Sequence, residues 1–435
     1  MRGVAAAAAL AVTASPAAAQ LLPGGPSLPV AGPLLPRIPE TIQRGTGDLG
    51  NTGDRTLGSV DRIVRDAVGR PVNAPAPARD PTGAPIVRDE VLAIAPTAAA
   101  LAAAQALGLD LVREDSLPAL GTSVAVLRAP EGMDAVQALA ALRKADPSGS
   151  YDYNHLYGPS GDTTPVTGAS GAPASAGHAA AVGMIDAGVD VRHPAFRHAE
   201  IRARDFSGDG KAPATMHGTA VASLLVGDGN DFHGALAGTA LYAADVYGGK
   251  ADGGSAEAIA RALAWLAQEN VPVANASLTG PPNALLALAT RAFLARGHVL
   301  VAAVGNDGPA APLRYPAAYP GVVGVTSVDA ARQVQLDANR GVDVAFAARG
   351  VDRRAAVMGE GYGAVTGTSF AAPAVTARFA LLVPKPDADA VTRACKTLEA
   401  EAIDLGAPGR DPVFGNGYLE GPGAGALSAH ASRSD

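Results

Sequence analysis

One cysteine, Cys395, stands in 435 residues, so no disulfide can form within the chain. Aromatic residues make up 4% and there is one tryptophan, so the core must be filled by Ala, Val and Leu at close approach rather than by rings. Charged residues make up 17%, the net charge is −7, and no run of Lys or Arg exceeds two. That removes the electrostatic footprint of nucleic-acid binding. No apolar run reaches the roughly 20 residues of a spanning helix without a charge or a proline, so no membrane span is expected in the mature chain. Hydrophobic residues at 48% place the chain among globular proteins, and its length exceeds one average domain.

Residues 1–19 read as a removable export signal. Arg2 supplies a positive start, 4–12 an apolar run, and Ala17-Ala18-Ala19 a small-residue cleavage site before Gln20. Export to the periplasm or the medium is the expectation. Residues 20–85 read as a proline-rich extension, with six prolines in 21–39 and five in 71–85, which excludes long helices. Residues 86–158 differ. Strand-like 91–94, helix-like 97–107, strand-like 121–127, amphipathic 133–143 and a last strand at 150–157 suggest a small α+β domain of β-α-β-β-α-β, ferredoxin-like order. A linker at 159–176, a catalytic domain at 177–421 and a tail at 422–435 complete the division.

Within 177–421, strand-like runs (179–186, 241–246, 271–278, 299–305, 322–327) alternate with helix-like runs (218–226, 255–269, 283–296, 369–383). This alternation predicts an α/β fold, a parallel sheet with helices on both faces, whose catalytic groups gather at the carboxyl ends of the strands.

Three polar residues sit at such ends. Asp186 closes AAAVGMID, His217 opens HGTAVASLLVG, and Ser369 lies in Gly367-Thr368-Ser369-Phe370-Ala371-Ala372-Pro373. A serine hydroxyl attacks a carbonyl only if a histidine takes its proton, and a carboxylate must hold that histidine's tautomer. Each residue alone has an ordinary explanation, as helix cap or turn former. The order Asp, His, Ser is one of three convergent triad orders, and G-x-S-x-G is absent because position 371 is Ala.

These frames resemble those of subtilisin-like serine proteases, the subtilases. The H-G-T-x-V-A and G-T-S-x-A-x-P patterns are matched in full. The D-[ST]-G pattern departs at Ala187, which removes a hydroxyl near the carboxylate. The resemblance implies a subtilisin-like parallel sheet and an exported serine endopeptidase acting through an acyl-enzyme on protein or peptide substrates. It also implies that Asn306, in HVLVAAVGNDG, is the oxyanion-hole asparagine beside the Ser369 N–H. By the same resemblance, Gly253-Gly254-Ser255 and Ser277-Leu278-Thr279-Gly280 flank the substrate backbone. Residues 86–158 resemble the prodomain, a partner whose exit segment 151–157 enters the cleft, with a self-cleavage point in 158–177. Arg314 falls at the floor of the pocket for the residue before the scissile bond, which implies an acidic preference there.

Two other readings stand beside this one: a catalytically silent subtilase-fold binding protein, motivated by Ala187 and Arg349, and an esterase of unrelated fold. No cofactor is required by the chemistry. Gly227-Asp228-Gly229-Asn230-Asp231 offers oxygens to calcium without an EF-hand pattern, and His193, His198 and Glu200 read as surface residues rather than a metal site. Oligomeric state is not legible.

Overall fold

The computed structural model describes residues 77–160 and 179–421, apart from 209, 211, 231, 251, 252 and 360. The chain divides into Met1–Val60 and Asp61–Asp435, and every described residue belongs to the second unit. The expected export signal, residues 20–76 of the extension, most of the linker and the tail lie outside the described residues.

The first layer is built from β1 (Ala78–Arg79), β2 (Pro85–Ile94), α1 (Ala98–Ala106), β3 (Asp110–Leu117), β4 (Thr122–Arg128), α2 (Ala135–Ala145) and β5 (Ser150–Pro159). Its strands pair in the order β5-β2-β4-β3, all antiparallel. Thr97 caps α1, and a reciprocal capping box of Asp134 and Gln137 opens α2. Alternation sends Val91, Ala93, Ala125 and Leu127 toward α1 and α2, while Leu92, Ile94, Val124 and Val126 join the larger core beyond the sheet. The layer starts before residue 86: Ala78 pairs with Ile86 and Arg79 with Pro85, so the end of the expected extension belongs to the sheet. Hydrophobicity alone does not locate β3, because its DLVREDSL sequence is largely exposed.

The second sheet comprises β6 (Val182–Asp186), β7 (Ile201–Asp205), β8 (Leu241–Asp245), β10 (Val273–Ala276), β12 (Val299–Ala303), β13 (Val323–Val328) and β14 (Val344–Arg349). Its order is β14-β13-β12-β10-β6-β8-β7, parallel throughout. Short β9 (Gly254–Ser255) and β11 (Leu278–Thr279) lie outside it, and β15 (Arg353–Val357) and β16 (Gly361–Val365) form a hairpin. The connecting helices are α3 (Met216–Val226), α4 (Ala256–Gln268), α5 (Ala284–Ala295), α6 (Thr368–Leu382) and α7 (Ala388–Glu401).

Both faces of the parallel sheet are covered, as continuous apolar strands require. Ile185, Ala244, Ala274 and Leu300 pack with residues of α4 and α5; Met184, Ala243, Val273 and Val301 pack with residues of α3 and α6. Within 177–421 the expected strands and helices are all present, with ends shifted by up to three residues.

Candidate active site

Asp186 is the last residue of β6 and is fully buried. Its Oδ1 accepts from the Ala187 N–H at 2.7 Å and lies 2.8 Å from His217 Nδ1. That contact puts the imidazole proton on Nδ1 and leaves the Nε2 lone pair free to accept a proton. His217 is held at the second position of α3, whose N-terminus is capped by Thr215 Oγ1 accepting from the Gly218 N–H. Gly218 is required here: a Cβ would sit 2.3 Å from the Ala187 carbonyl oxygen, so any side chain would push α3 away from Asp186.

Among the described residues, none hydrogen-bonds Asp186 Oδ2 or His217 Nε2, although both atoms are buried. The orphaned carboxylate oxygen stands beside Ala187, where a hydroxyl residue is expected from the family pattern.

Ser369 is the second residue of α6, fully buried, and the ring of the next residue, Phe370, lies 5.3 Å from the His217 ring. Ser369 Oγ donates to the Ser277 carbonyl at 3.1 Å, and Ser277 Oγ donates to the Ser369 carbonyl at 2.8 Å. Pro373 explains the second bond. Four residues after Ser369 it has no N–H, so the Ser369 carbonyl loses its helical partner and accepts from a side chain instead. Asn275 Nδ2 donates to Ser277 Oγ, and Thr376 Oγ1 donates to Asn275 Oδ1, which fixes the serine pair.

Asn306 follows β12 after Gly305, whose φ of +112° suits glycine. Its Oδ1 accepts from the Thr368 N–H at 3.2 Å and from Gln335 Nε2 at 3.4 Å, which turns the amide nitrogen toward Ser160. Sequence reading missed Asn275, Gln335 and Thr368. Only Thr368 carried a signal, its place in the G-T-S frame.

Ser160 completes the constellation. Its carbonyl accepts from the Ser369 N–H at 2.9 Å, its N–H donates to the Ser277 carbonyl at 3.4 Å, and its hydroxyl lies 2.9 Å from Thr368 Oγ1 and 3.3 Å from Asn306 Nδ2. Just before it, β5 lies antiparallel between β9 and β11, with Tyr157 opposite Gly254, Gly158 opposite Thr279 and Pro159 opposite Leu278. The two expected flanking segments thus hold the chain's own backbone.

The first layer also covers two helix N-termini. Asn154 Oδ1 accepts from the Glu257 N–H at the start of α4, and Asp152 Oδ2 accepts from the Ala284 N–H at the start of α5. Glu257, itself buried, pairs with Arg113 of β3 at 2.6 Å and with Arg261 at 3.4 Å. Burial pushes the Glu257 carboxyl up against the opposing pull of both guanidinium groups.

Arg314 Nε donates to Asp307 Oδ2 at 2.8 Å, and this bond holds the Asp307 carboxyl below the usual range. The guanidinium is therefore engaged by a carboxylate of its own chain. The cavity that Arg314 lines also includes Thr279, Gly280 and Gly158.

Among the described residues, no three His, Cys, Asp or Glu side chains gather as a metal centre. His198 and Glu200 are exposed, but His193 is not the surface residue expected: it is buried, accepts from the Ala195 N–H at 3.0 Å and donates to the Gly361 carbonyl at 2.7 Å. Asp228 lies 3.3 Å from His233, and Asp231 is outside the described residues.

The profile of the Subtilase family matches residues 177–417, more than half of the chain. The minor extracellular protease Epr of Bacillus subtilis is 31% identical over 221 residues, covering 50% of this chain and 34% of that protein, so this chain spans about a third of that relative's length. The major intracellular serine protease of the same organism is 32% identical over 216 residues, covering 46% and 67%. Subtilisin BL of Lederbergia lenta is 32% identical over 212 residues, covering 48% and 77%. Among solved structures, fervidolysin of Fervidobacterium pennivorans, a keratinolytic enzyme related to subtilisin, superposes with a TM-score of 0.66 at 22% identity, over 77% of this chain and 60% of that one, a likeness of fold.

Proposed function

Because this chain belongs to the subtilase family, we propose that it is an exported serine endopeptidase made with residues 86–158 as its prodomain. In this reading Asp186 holds His217 in the tautomer with a free Nε2. The Ser369 hydroxyl turns from the Ser277 carbonyl to that nitrogen, gives up its proton and attacks the substrate carbonyl carbon. Negative charge develops on the carbonyl oxygen, where the Ser369 N–H and the Asn306 amide donate. Collapse expels the amine, which takes the proton from His217. Water then hydrolyses the acyl-enzyme by the same route.

The observation that carries the reading is the Ser160 carbonyl accepting from the Ser369 N–H while β5 is gripped between β9 and β11. An extended chain lies as a substrate would, with its carbonyl turned to the nucleophile's loop. The same contact supports a prodomain role for β2–β5. Pairing of Arg314 with Asp307 favours an uncharged residue before the scissile bond, as Ser160 is, over the acidic one that Arg314 alone implies.

A fluorophosphonate probe tests the chemistry. Labelling of the wild type but not of Ser369→Ala, together with casein hydrolysis by the wild type alone, is expected. Labelling that persists in Ser369→Ala, or is absent from both, rejects an activated Ser369 and favours the silent binding protein.

A further inference from the structure

We propose that Arg332, Arg349 and Arg353 gather around the Tyr418 ring as a binding site for a tetrahedral oxyanion of the phosphate or sulfate class. The site uses no member of the triad and stands whether or not the endopeptidase reading does.

Three separate segments deliver the cations. Arg349 ends β14 opposite Val328 of β13, and Arg353 opens β15 opposite Val365 of β16. Arg332 stands at φ +62° in the turn after β13, which Asp329 ties by accepting from the Ala331 and Gln333 N–H groups, both at 2.8 Å. Tyr418 is pinned from two sides: its N–H donates to the Ile403 carbonyl at 2.8 Å, and its neighbours Gly417 and Leu419 exchange hydrogen bonds with Ala347 of β14. The Arg332 guanidinium lies over the Tyr418 ring, 4.9 Å from its centroid. Arg353 Nη1 donates to the Arg349 carbonyl at 3.1 Å, which draws the third cation toward the second. Ala347 and Arg349 share one face of β14, so Arg349 rises beside the small cluster of Val328, Ala347 and Tyr418.

These charges lack a counter-ion. Among the described residues no carboxylate pairs with any of the three arginines, and Arg349 Nε is buried without an acceptor, which leaves a donor that bulk water does not reach. Burial, and then Arg349 beside it, pulls the Arg353 guanidinium down to about 10, so two mutually repelling groups both stay charged at neutral pH. Burial first, and then Glu420, pushes the Tyr418 phenol up, while Arg332, Arg353 and Arg349 pull against them. Three cations against that one carboxylate leave two positive charges around one ring, which a dianion cancels. A single guanidinium fork matches the edge of a planar carboxylate, whereas forks arriving from three segments match the separate oxygens of a tetrahedral ion.

The test uses the full chain carrying Ser369→Ala, so that proteolysis does not blur the melt, with inorganic phosphate, inorganic sulfate and glycerol phosphate as probes at low millimolar concentration. Sodium chloride at matched ionic strength is the reference. A saturable rise in melting temperature of about 2–5 °C with phosphate and with sulfate is expected. Arg349→Met and Arg353→Met, which keep the apolar stem and remove the charge, should each abolish it, whereas Arg192→Met, at an exposed arginine elsewhere, should keep it in full. Arg353→Lys keeps the charge without the fork and should weaken phosphate binding about 10-fold or more in calorimetry, a readout that serves even where a methionine variant fails to fold. A response to glycerol phosphate as well marks a phosphoryl group on a larger molecule as the ligand, and its absence marks a free ion; either supports the site. A rise equalled by chloride, or one that persists in both methionine variants, overturns the proposal.

Discussion

The carbonyl oxygen of Ser160 and the backbone nitrogen of Ser369 are 2.9 Å apart, joined by a hydrogen bond that holds the end of β5 against the start of α6. Self-cleavage is expected between Ser160 and Gly161. Intact-mass analysis and N-terminal sequencing of purified protein should find a chain starting at Gly161 in the wild type and an uncut chain in Ser369→Ala. A new terminus elsewhere in 161–178 would contradict the register of β5.

Arg113 and Glu257 join the first layer to α4. Removing Arg113 leaves a buried carboxylate with Arg261 alone, at 3.4 Å, and such a loss costs on the order of 1–3 kcal/mol. Arg113→Ala should therefore release the N-terminal layer from cleaved protein about 10- to 100-fold faster, read by size exclusion and by the rise in peptide hydrolysis. Glu257→Gln should release it less, since a neutral amide is cheaper to leave unpaired. Unchanged release in both variants would show that the pair contributes nothing to retention.

Asn306→Ala removes an amide held by Thr368 and Gln335 near Ser160. A fall in kcat of about 10²–10³-fold with little change in KM is expected, a magnitude taken from the oxyanion asparagine of a subtilisin. A change confined to KM would instead make Asn306 a ground-state binding residue.

Asp245 ends β8 opposite Asp186 and has its carboxyl pushed up to about 6, first by burial and then, against two backbone N–H bonds from Gly248 and Tyr247, by Asp205 and Asp186. Its folded value lies above the unfolded one near 4, so its contribution to stability is full below about pH 4 and is lost as pH rises through about 6. At neutral pH the buried charge costs at most about 3 kcal/mol. Asp245→Asn should raise the melting temperature at pH 8 and leave it nearly unchanged at pH 4, because the amide oxygen can still accept the same two N–H groups. Equal shifts at both pH values would exclude ionisation as the cause.

The strand-helix alternation of 177–421 was legible because buried parallel strands are continuous apolar runs and their helices carry clear caps. The hairpin β15–β16, the strands β7 and β14 and the helix α7 were not anticipated. Arginines punctuate β7 and β15, and α7 carries five charged residues in fourteen, so hydrophobicity passes over these three; β14 is an apolar run that ends at Arg349.

By itself, the sequence determined the cast of the candidate site. Asp186, His217 and Ser369 stand in small-residue frames because strand ends and helix starts leave little room there, and that steric demand is written locally. What only the tertiary structure decided is how distant groups meet. Pro373 frees a carbonyl for Ser277, Asp307 engages Arg314, and Ser160 reaches the Ser369 N–H because β5 completes a ladder between β9 and β11. Hydrogen bonds between segments far apart in sequence depend on register and packing, which no local pattern encodes.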